Sequence, residues 1–498
     1  MLIRELQLRR LHVIFLLYSI FIGIIALLPT DIILLYIFPD DSYYYFEIAK
    51  NAANNGFISF DNINETNGFH PLWFILLVPI FLLNTDKIIA LRIILIYQGI
   101  IIGFAVYFLY KIIRLLFDKK SALFGSLLFL FLPLSFLTYL DGCEASLNFL
   151  LLSIVIYSLL KYDFNNLNFK NTLIIGFTFS LSFLTRLDNI ILITPILCWL
   201  IFTKIIVINK KNLKYIITFI ISFSILPGLY FLWSFLTFAH IMPISGVIWN
   251  NSTEYTVIYL TITIIFCFIL SILFKTIHTK IMKKNWENNS KNVKIFIIVL
   301  LLPLFHLLYY YTTGGRFMLW YLPIELISLV IGSSFVFYKV FKNLREGKIL
   351  LFNRENYTIG TSALAIILVY GTIYFSASAI IDVKLYHLSP RYYEATQWVN
   401  DNIPDNATLA CANAGFLGYF IDRPVIECWG LVNSYEFLSI YGANITKYII
   451  EGDYDYYIDQ VQYIPLNDSE MNDNGLSLVI SFIDQDAPER TLQIWENS

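Results

Sequence analysis

The sequence predicts an α-helical polytopic membrane protein of about 11 spans, with a large first outer loop carrying interfacial helices and a small C-terminal α/β domain outside the membrane. Three observations lead there. Of the 498 residues, 58% are hydrophobic and only 14% charged, with a mean hydropathy of +0.67, a composition that excludes an ordinary soluble domain. Apolar runs long enough to span recur along the chain. Lysine and arginine fall overwhelmingly into alternate connections between those runs, as the positive-inside rule requires. The net charge of -2 says nothing about partners, because in such a chain the sidedness of the charges matters more than their sum; nucleic acid is not an expected ligand.

The first run follows Arg4, Arg9 and Arg10 and continues from Leu11 to Tyr36 without a small-residue cleavage site, so it reads as a retained anchor with its basic end in the cytoplasm. Further spans are expected at Ile88–Tyr110, Ser121–Tyr139, Ala145–Leu160, Thr172–Leu184, Ile190–Thr203, Tyr215–Leu236, Tyr255–Phe274, Ile295–Tyr311, Met318–Tyr338 and Tyr357–Ile380. Threaded this way, 24 basic residues lie inside and five outside the membrane domain: Lys50, Lys87, Arg92, Arg186 and Arg316. The run His70–Leu83 is too short to span and contains Pro71 and Pro79. Counting it as a crossing would turn every later basic cluster outward. It is expected to lie in the outer interface, within a first outer loop of about residues 39–87.

From Leu385 the composition becomes that of a soluble domain, giving a division into residues 1–384 and 385–498. "SPRYYEATQWVNDN" has helical spacing, and "ATLACA", "RPVIECW" and "YDYYID" read as short buried strands. Five cysteines do not make a disulfide scaffold. Cys143, Cys198 and Cys267 suit small apolar fillers, and Cys411 and Cys428 could pair in the tail only if they meet in space.

Chemistry gathers at the outer edge of the membrane. Asp40 and Asp41 open the first outer loop in "DDSYYYFEIAKNAANNGF". One reading makes them the acidic first turn of a helix; the other makes them a general base, since a carboxylate beside another at a partly dry boundary gains proton affinity. At the same level stand Asp141 and Glu144 in "YLDGCEASLNF", Arg186 and Asp188 in "FLTRLDNI", Arg316 in "TTGGRFMLW" and Arg92 at the start of the second span. Any single one could be half of an interhelical ion pair. Three arginines on the wrong side of the charge rule point instead to phosphate, which guanidinium holds through paired hydrogen bonds. Acids for proton abstraction beside arginines imply a lipid-phosphate substrate.

These segments, with "TNGFHPLW" and the tail's "WVNDNIPDNATLACANAGFLGYFIDRPVIECWGLVNS", resemble the GT-C superfamily of integral-membrane glycosyltransferases, which includes protein O-mannosyltransferases and lipid A aminoarabinose transferases. The resemblance implies a plasma (inner) membrane enzyme of the cell envelope, with its N-terminus cytoplasmic and its tail outside. It would move a sugar from a polyprenyl-phosphate donor to a hydroxyl of a glycan, lipid or protein acceptor. It makes Asp40 the base, with Asp41 at the following acidic position and expected to orient the site, and puts Arg92 at the donor phosphate; Arg186 and Arg316 are expected to stabilise the same phosphate. Tyr44, His70, Asp141, Glu144 and Asp188 are expected to bind substrate or orient the site. A metal-independent, inverting displacement is expected; a divalent metal on Asp40, Asp41, Asp141 and Glu144 is the alternative. The rival from another class is a transporter or flippase of a lipid-linked sugar, although transporters concentrate charge at the membrane midplane rather than at one edge.

Overall fold

The computed structural model describes residues 18–164, 168–203, 205–206, 210–248, 290–313, 318–345, 391–485 and 487–497. The expected spans Tyr255–Phe274 and Tyr357–Ile380, with Arg316 and Cys267, lie outside the described residues. Three described helices are long and apolar enough to cross a membrane, or up to five if each of two bent pairs is one span.

The expected first span Leu11–Tyr36 is, from Tyr18 on, a bent pair. Helix α1 (Tyr18–Ala26) and helix α2 (Thr30–Tyr36) meet at 99°, because Pro29 cannot continue the α1 hydrogen-bond ladder. The carbonyls freed by that break need donors. Then come α3 (Asp40–Asn55), α4 (Pro71–Phe81) and the 30-residue α5 (Lys87–Leu116). Helix α4 falls within the expected short run His70–Leu83, with Pro71 at its first position. Asp86 caps α5 by accepting from the N–H groups of Ile88 and Ile89. Asn84 turns the chain between α4 and α5 at φ 49°, a backbone that asparagine tolerates better than most residues.

The expected span Ser121–Tyr139 is the second bent pair: α6 (Lys119–Phe131) and α7 (Pro133–Tyr139) meet at 64°. Leu132, which precedes Pro133, is forced into extended backbone at ψ 118°. Then follow α8 (Ala145–Lys161), α9 (Phe169–Thr185), α10 (Ile190–Phe202), α11 (Lys210–Phe238), α12 (Ile244–Ile248), α13 (Ser290–Thr313) and α14 (Pro323–Arg345). Helix α5 packs against α6 and α8, and α9 against α11. The outer flank of α11 leaves Ile217, Ile220, Ile221, Leu229 and Leu236 exposed, as a lipid-facing surface would.

The tail begins among the described residues with α15 (Arg391–Asn402), followed by β1 (Leu409–Cys411), α16 (Gly415–Phe420), β2 (Val425–Glu427), β3 (Tyr456–Gln460), β4 (Leu476–Phe482) and β5 (Leu492–Asn497). The five strands run in the order β2-β1-β3-β5-β4. β1 is parallel to both neighbours, and β5 is antiparallel to β3 and β4. The strands expected from "ATLACA", "RPVIECW" and "YDYYID" are β1, β2 and β3. Cys411 and Cys428 are buried free thiols.

The tail does not hang free. Tyr43 of α3 meets the rings of Phe416, Tyr419 and Phe420 with centroids 5.1, 5.7 and 6.0 Å away, and the apolar cluster of the first outer loop continues into α15 and β1. A Cβ on Gly68 would stand 2.1 Å from the Leu431 carbonyl oxygen, so "TNGF" and "GLVNS" touch backbone to backbone.

Candidate active site

The first turn of α3 presents two faces. Residues four apart share a helix face, and adjacent residues do not. Asp40 and Tyr44 face the tail: the Asp40 carboxylate accepts from the backbone N–H groups of Gly415 at 3.0 Å and Phe416 at 2.7 Å, and the Tyr44 hydroxyl accepts from Ala414 N–H at 3.1 Å. A Cβ on Gly415 would sit 2.8 Å from Asp40 Oδ2, so only glycine lets the tail come this close. Tyr45 faces the membrane domain, its hydroxyl donating to Glu144 Oε2 at 3.0 Å. Asp41 lies within electrostatic reach of Tyr321 and Cys143, and of Tyr44.

Opposite that second face lies a buried ionic cluster. Arg186, 3% exposed, donates from Nε and Nη2 to both oxygens of Asp188, at 3.0 and 2.8 Å, and from Nη1 to Glu144. Its guanidinium lies over the Tyr321 ring, 4.0 Å from the centroid, an attractive geometry for a cation. The Tyr310 hydroxyl accepts from Arg186 at 3.1 Å and donates to Asp188. His70 Nε2 lies 3.8 Å from Glu144 Oε1. His306 Nδ1 pairs with Glu325 at 2.7 Å, and its ring meets Tyr310 edge to face at 5.1 Å.

The turn between α7 and α8 delivers Glu144. Asp141 Oδ1 accepts from Cys143 N–H at 2.9 Å, Gln98 bonds both Gly142 N–H and the Cys143 carbonyl, and Trp73 Nε1 donates to the Gly142 carbonyl at 2.9 Å. Gly142 has φ 81°, and a Cβ there would meet Phe46, Phe38 and Ser42 at 2.6–2.9 Å. Asp141 therefore shapes the turn that aims Glu144. Asp40 and Tyr44 do not join the cluster around Glu144, Arg186, Asp188 and His70.

The two described arginines differ in charge balance. Arg186 is offset by two carboxylates. Arg92 donates only to neutral oxygens, namely the carbonyls of Ala26 and Leu28 and the Thr30 hydroxyl, the last two at 2.9 and 3.2 Å. It closes the backbone groups left open by the α1–α2 break. Tyr310 and Tyr321 were not singled out in the sequence, and Tyr45 only as an aromatic for sugar stacking; its place four residues after Asp41 was the further signal. Among the described residues, no group of three or more His, Cys, Asp or Glu side chains could hold a metal ion.

Three buried carboxylates link α3 to the tail sheet. Burial pushes Asp40 up to about 6, Asp459 to about 7 and Glu427 to about 8, although backbone N–H groups oppose the rise at each. A folded value above the unfolded one means that these groups add stability in acid and lose it as pH rises through about 6 to 8. Hydrogen exchange of β1 and β2 in the full-length protein, corrected for intrinsic rates, should report weaker protection at pH 9 than at pH 5. Glu427→Gln should flatten that dependence. Protection that rises with pH would contradict it.

Residues 70–231 match the family model described as dolichyl-phosphate-mannose-protein mannosyltransferase, and residues 381–494 match a domain of unknown function (DUF8728). No curated protein sequence matches. Among solved structures, the chain superposes on ArnT from Cupriavidus metallidurans bound to undecaprenyl phosphate with a TM-score of 0.60 at 11% identity, covering 97% of both chains. It superposes on the oligosaccharyltransferase of Archaeoglobus fulgidus in the apo form at 0.54 and 12% identity, over 89% of this chain and 70% of that one. With the same archaeal enzyme, AglB, in complex with an inhibitory peptide and a dolichol-phosphate, the TM-score is 0.51 at 13% identity, over 89% and 69%.

Proposed function

We propose that this protein, whose fold is that of the GT-C glycosyltransferases, transfers a sugar from a polyprenyl-phosphate donor to an acceptor hydroxyl at the outer face of the plasma membrane. The observation that carries the reading is the meeting of Asp41, Tyr45, Glu144, Arg186, Asp188 and His70 at one end of a largely apolar helical domain. Ionisable groups at a membrane boundary are costly unless they work. A family model for dolichyl-phosphate-mannose enzymes over residues 70–231 and a likeness in fold to lipid-phosphate-bound structures support the donor class.

The acceptor hydroxyl attacks the anomeric carbon in one inverting step, and a carboxylate of the Asp40–Asp41 pair removes its proton. The sequence reading made Asp40 the base. What supports giving that role to Asp41 is the division of faces on α3. Both oxygens of the Asp40 carboxylate are engaged by tail backbone N–H groups, whereas Asp41 is within electrostatic reach of Tyr321. Asp40 then positions the pair, and the leaving phosphate, already ionised, needs positive charge more than a strong acid. Arg92, with no carboxylate partner among the described residues, suits that charge, and Arg186 holds Glu144 and Asp188 in place.

Three measurements test this. The anomeric configuration of the product, read by proton NMR, should be the inverse of the donor's; retention would refute a single displacement. Arg92→Ala should weaken donor binding by about tenfold or more, since a hydrogen bond to a charged group is worth about 1.5–3 kcal/mol. Unchanged donor affinity would remove Arg92 from the phosphate site. A cysteine at position 469 should react with an impermeant maleimide on intact cells; labelling only after permeabilisation would overturn the orientation.

A further inference from the structure

Two of the five outer basic residues, Lys50 and Lys87, have no part in the site above, yet they line one cavity of about 540 Å³. It lies where the C-terminal end of α3, the α4–α5 turn, α15 and the end of α16 come together, so both the membrane domain and the tail wall it. Its size is that of an ordinary small-ligand site. Phe81, Phe420 and Tyr393 supply apolar surface, the last two meeting edge to face at 5.7 Å. Asn54, Asp86 and Asp422 supply hydrogen-bonding groups at an exposed rim.

Charge identifies the class of occupant. Lys50 is bound to Glu47 at 2.6 Å and sits over the Tyr419 ring at 5.5 Å; Lys87 is bound to Asp422 at 2.7 Å and to the Phe420 carbonyl at 3.3 Å. Lys50 is matched by Glu47 and Lys87 by Asp422, with Asp86 a further carboxylate on the wall, so it offers no surplus positive charge for a lipid phosphate. Its lining comes from helices and turns, with no strand edge for a peptide to extend. Planar amides, carboxylates and ammonium groups around aromatic rings are the chemistry that recognises a neutral, hydroxyl-rich molecule.

Helix α3 sets the distance from the reaction. Lys50 and Asn54 follow Asp41 by nine and thirteen residues, which is about 14 and 20 Å at 1.5 Å per residue. That is too far for the reacting hydroxyl and well placed for the rest of a chain carrying it. We infer that this cavity holds the non-reacting sugar units of an oligo- or polysaccharide acceptor, so that the acceptor is a glycan gripped several units from its growing end; the inference rests on the transferase reading for the identity of its ligand as acceptor.

The test places the photo-crosslinker p-benzoylphenylalanine at Asn54 of the full-length protein in cells and identifies the adduct by mass spectrometry. A carbohydrate adduct that is lost in a Tyr393→Ala background is expected. A phospholipid adduct, a peptide adduct or no adduct overturns the proposal, whatever the enzyme's activity. With purified protein and a size-fractionated surface glycan acceptor, Asp422→Ala should raise the acceptor KM about tenfold and leave kcat unchanged. An equal loss in kcat would point to structural damage, and an unchanged KM would refute the site.

Discussion

Asp41→Asn should lower sugar transfer by roughly two to four powers of ten while leaving donor affinity near that of the wild type. The asparagine preserves size and hydrogen bonding and removes only the basicity, and general-base catalysis is worth about that much. Asp40→Asn is the paired measurement. Its amide oxygen can still accept one of the two N–H bonds from Gly415 and Phe416, so the loss should stay within about tenfold, the equivalent of one ordinary hydrogen bond. Amide exchange in 412–416 should rise in Asp40→Asn and not in Asp41→Asn. If Asp40→Asn abolishes transfer and Asp41→Asn does not, the base is Asp40 after all.

The second large effect is on stability. Arg186→Ala leaves Glu144 and Asp188 buried side by side without their shared counter-charge, and breaking a buried ion pair from one side costs about 3–5 kcal/mol. The thermal midpoint of the purified protein in lipid nanodiscs should fall by several degrees at least. Adding Glu144→Gln to Arg186→Ala should recover part of that loss, because one of the stranded charges is gone. A single variant as stable as the wild type would mean that the cluster is solvated and the ionic account of the site is wrong.

Much of this architecture could be read from local patterns. Pro71 and the shortness of the run mark α4 as a short helix, and the short buried runs of the tail mark β1 to β3. The acids and arginines at the outer edge were visible as residues that the bilayer penalises. What could not be read was which of them meet. Gly415 and Phe416 lie some 375 residues from Asp40, and no propensity records that a tail loop will cover the first outer helix. The spacing Asp40–Tyr44 and Asp41–Tyr45 does state that the two carboxylates face different ways, but it does not say which face looks to the membrane. Tyr310 and Tyr321 reach Arg186 only because α13 and the turn before α14 pack beside it. The α1–α2 break was announced by Pro29, yet the long apolar run around it read as one straight span.

The central claim is transfer of a sugar from a lipid phosphate at the outer face. The purified protein, reconstituted in sealed proteoliposomes with the polyprenyl-phosphate sugar pool of the producing cells, should release free polyprenyl phosphate only when a surface glycan fraction is supplied on the outer side. That release should vanish in Asp41→Asn. Movement of intact donor between leaflets, with no polyprenyl phosphate released whatever acceptor is offered, would contradict the account and make the protein a carrier of lipid-linked sugar.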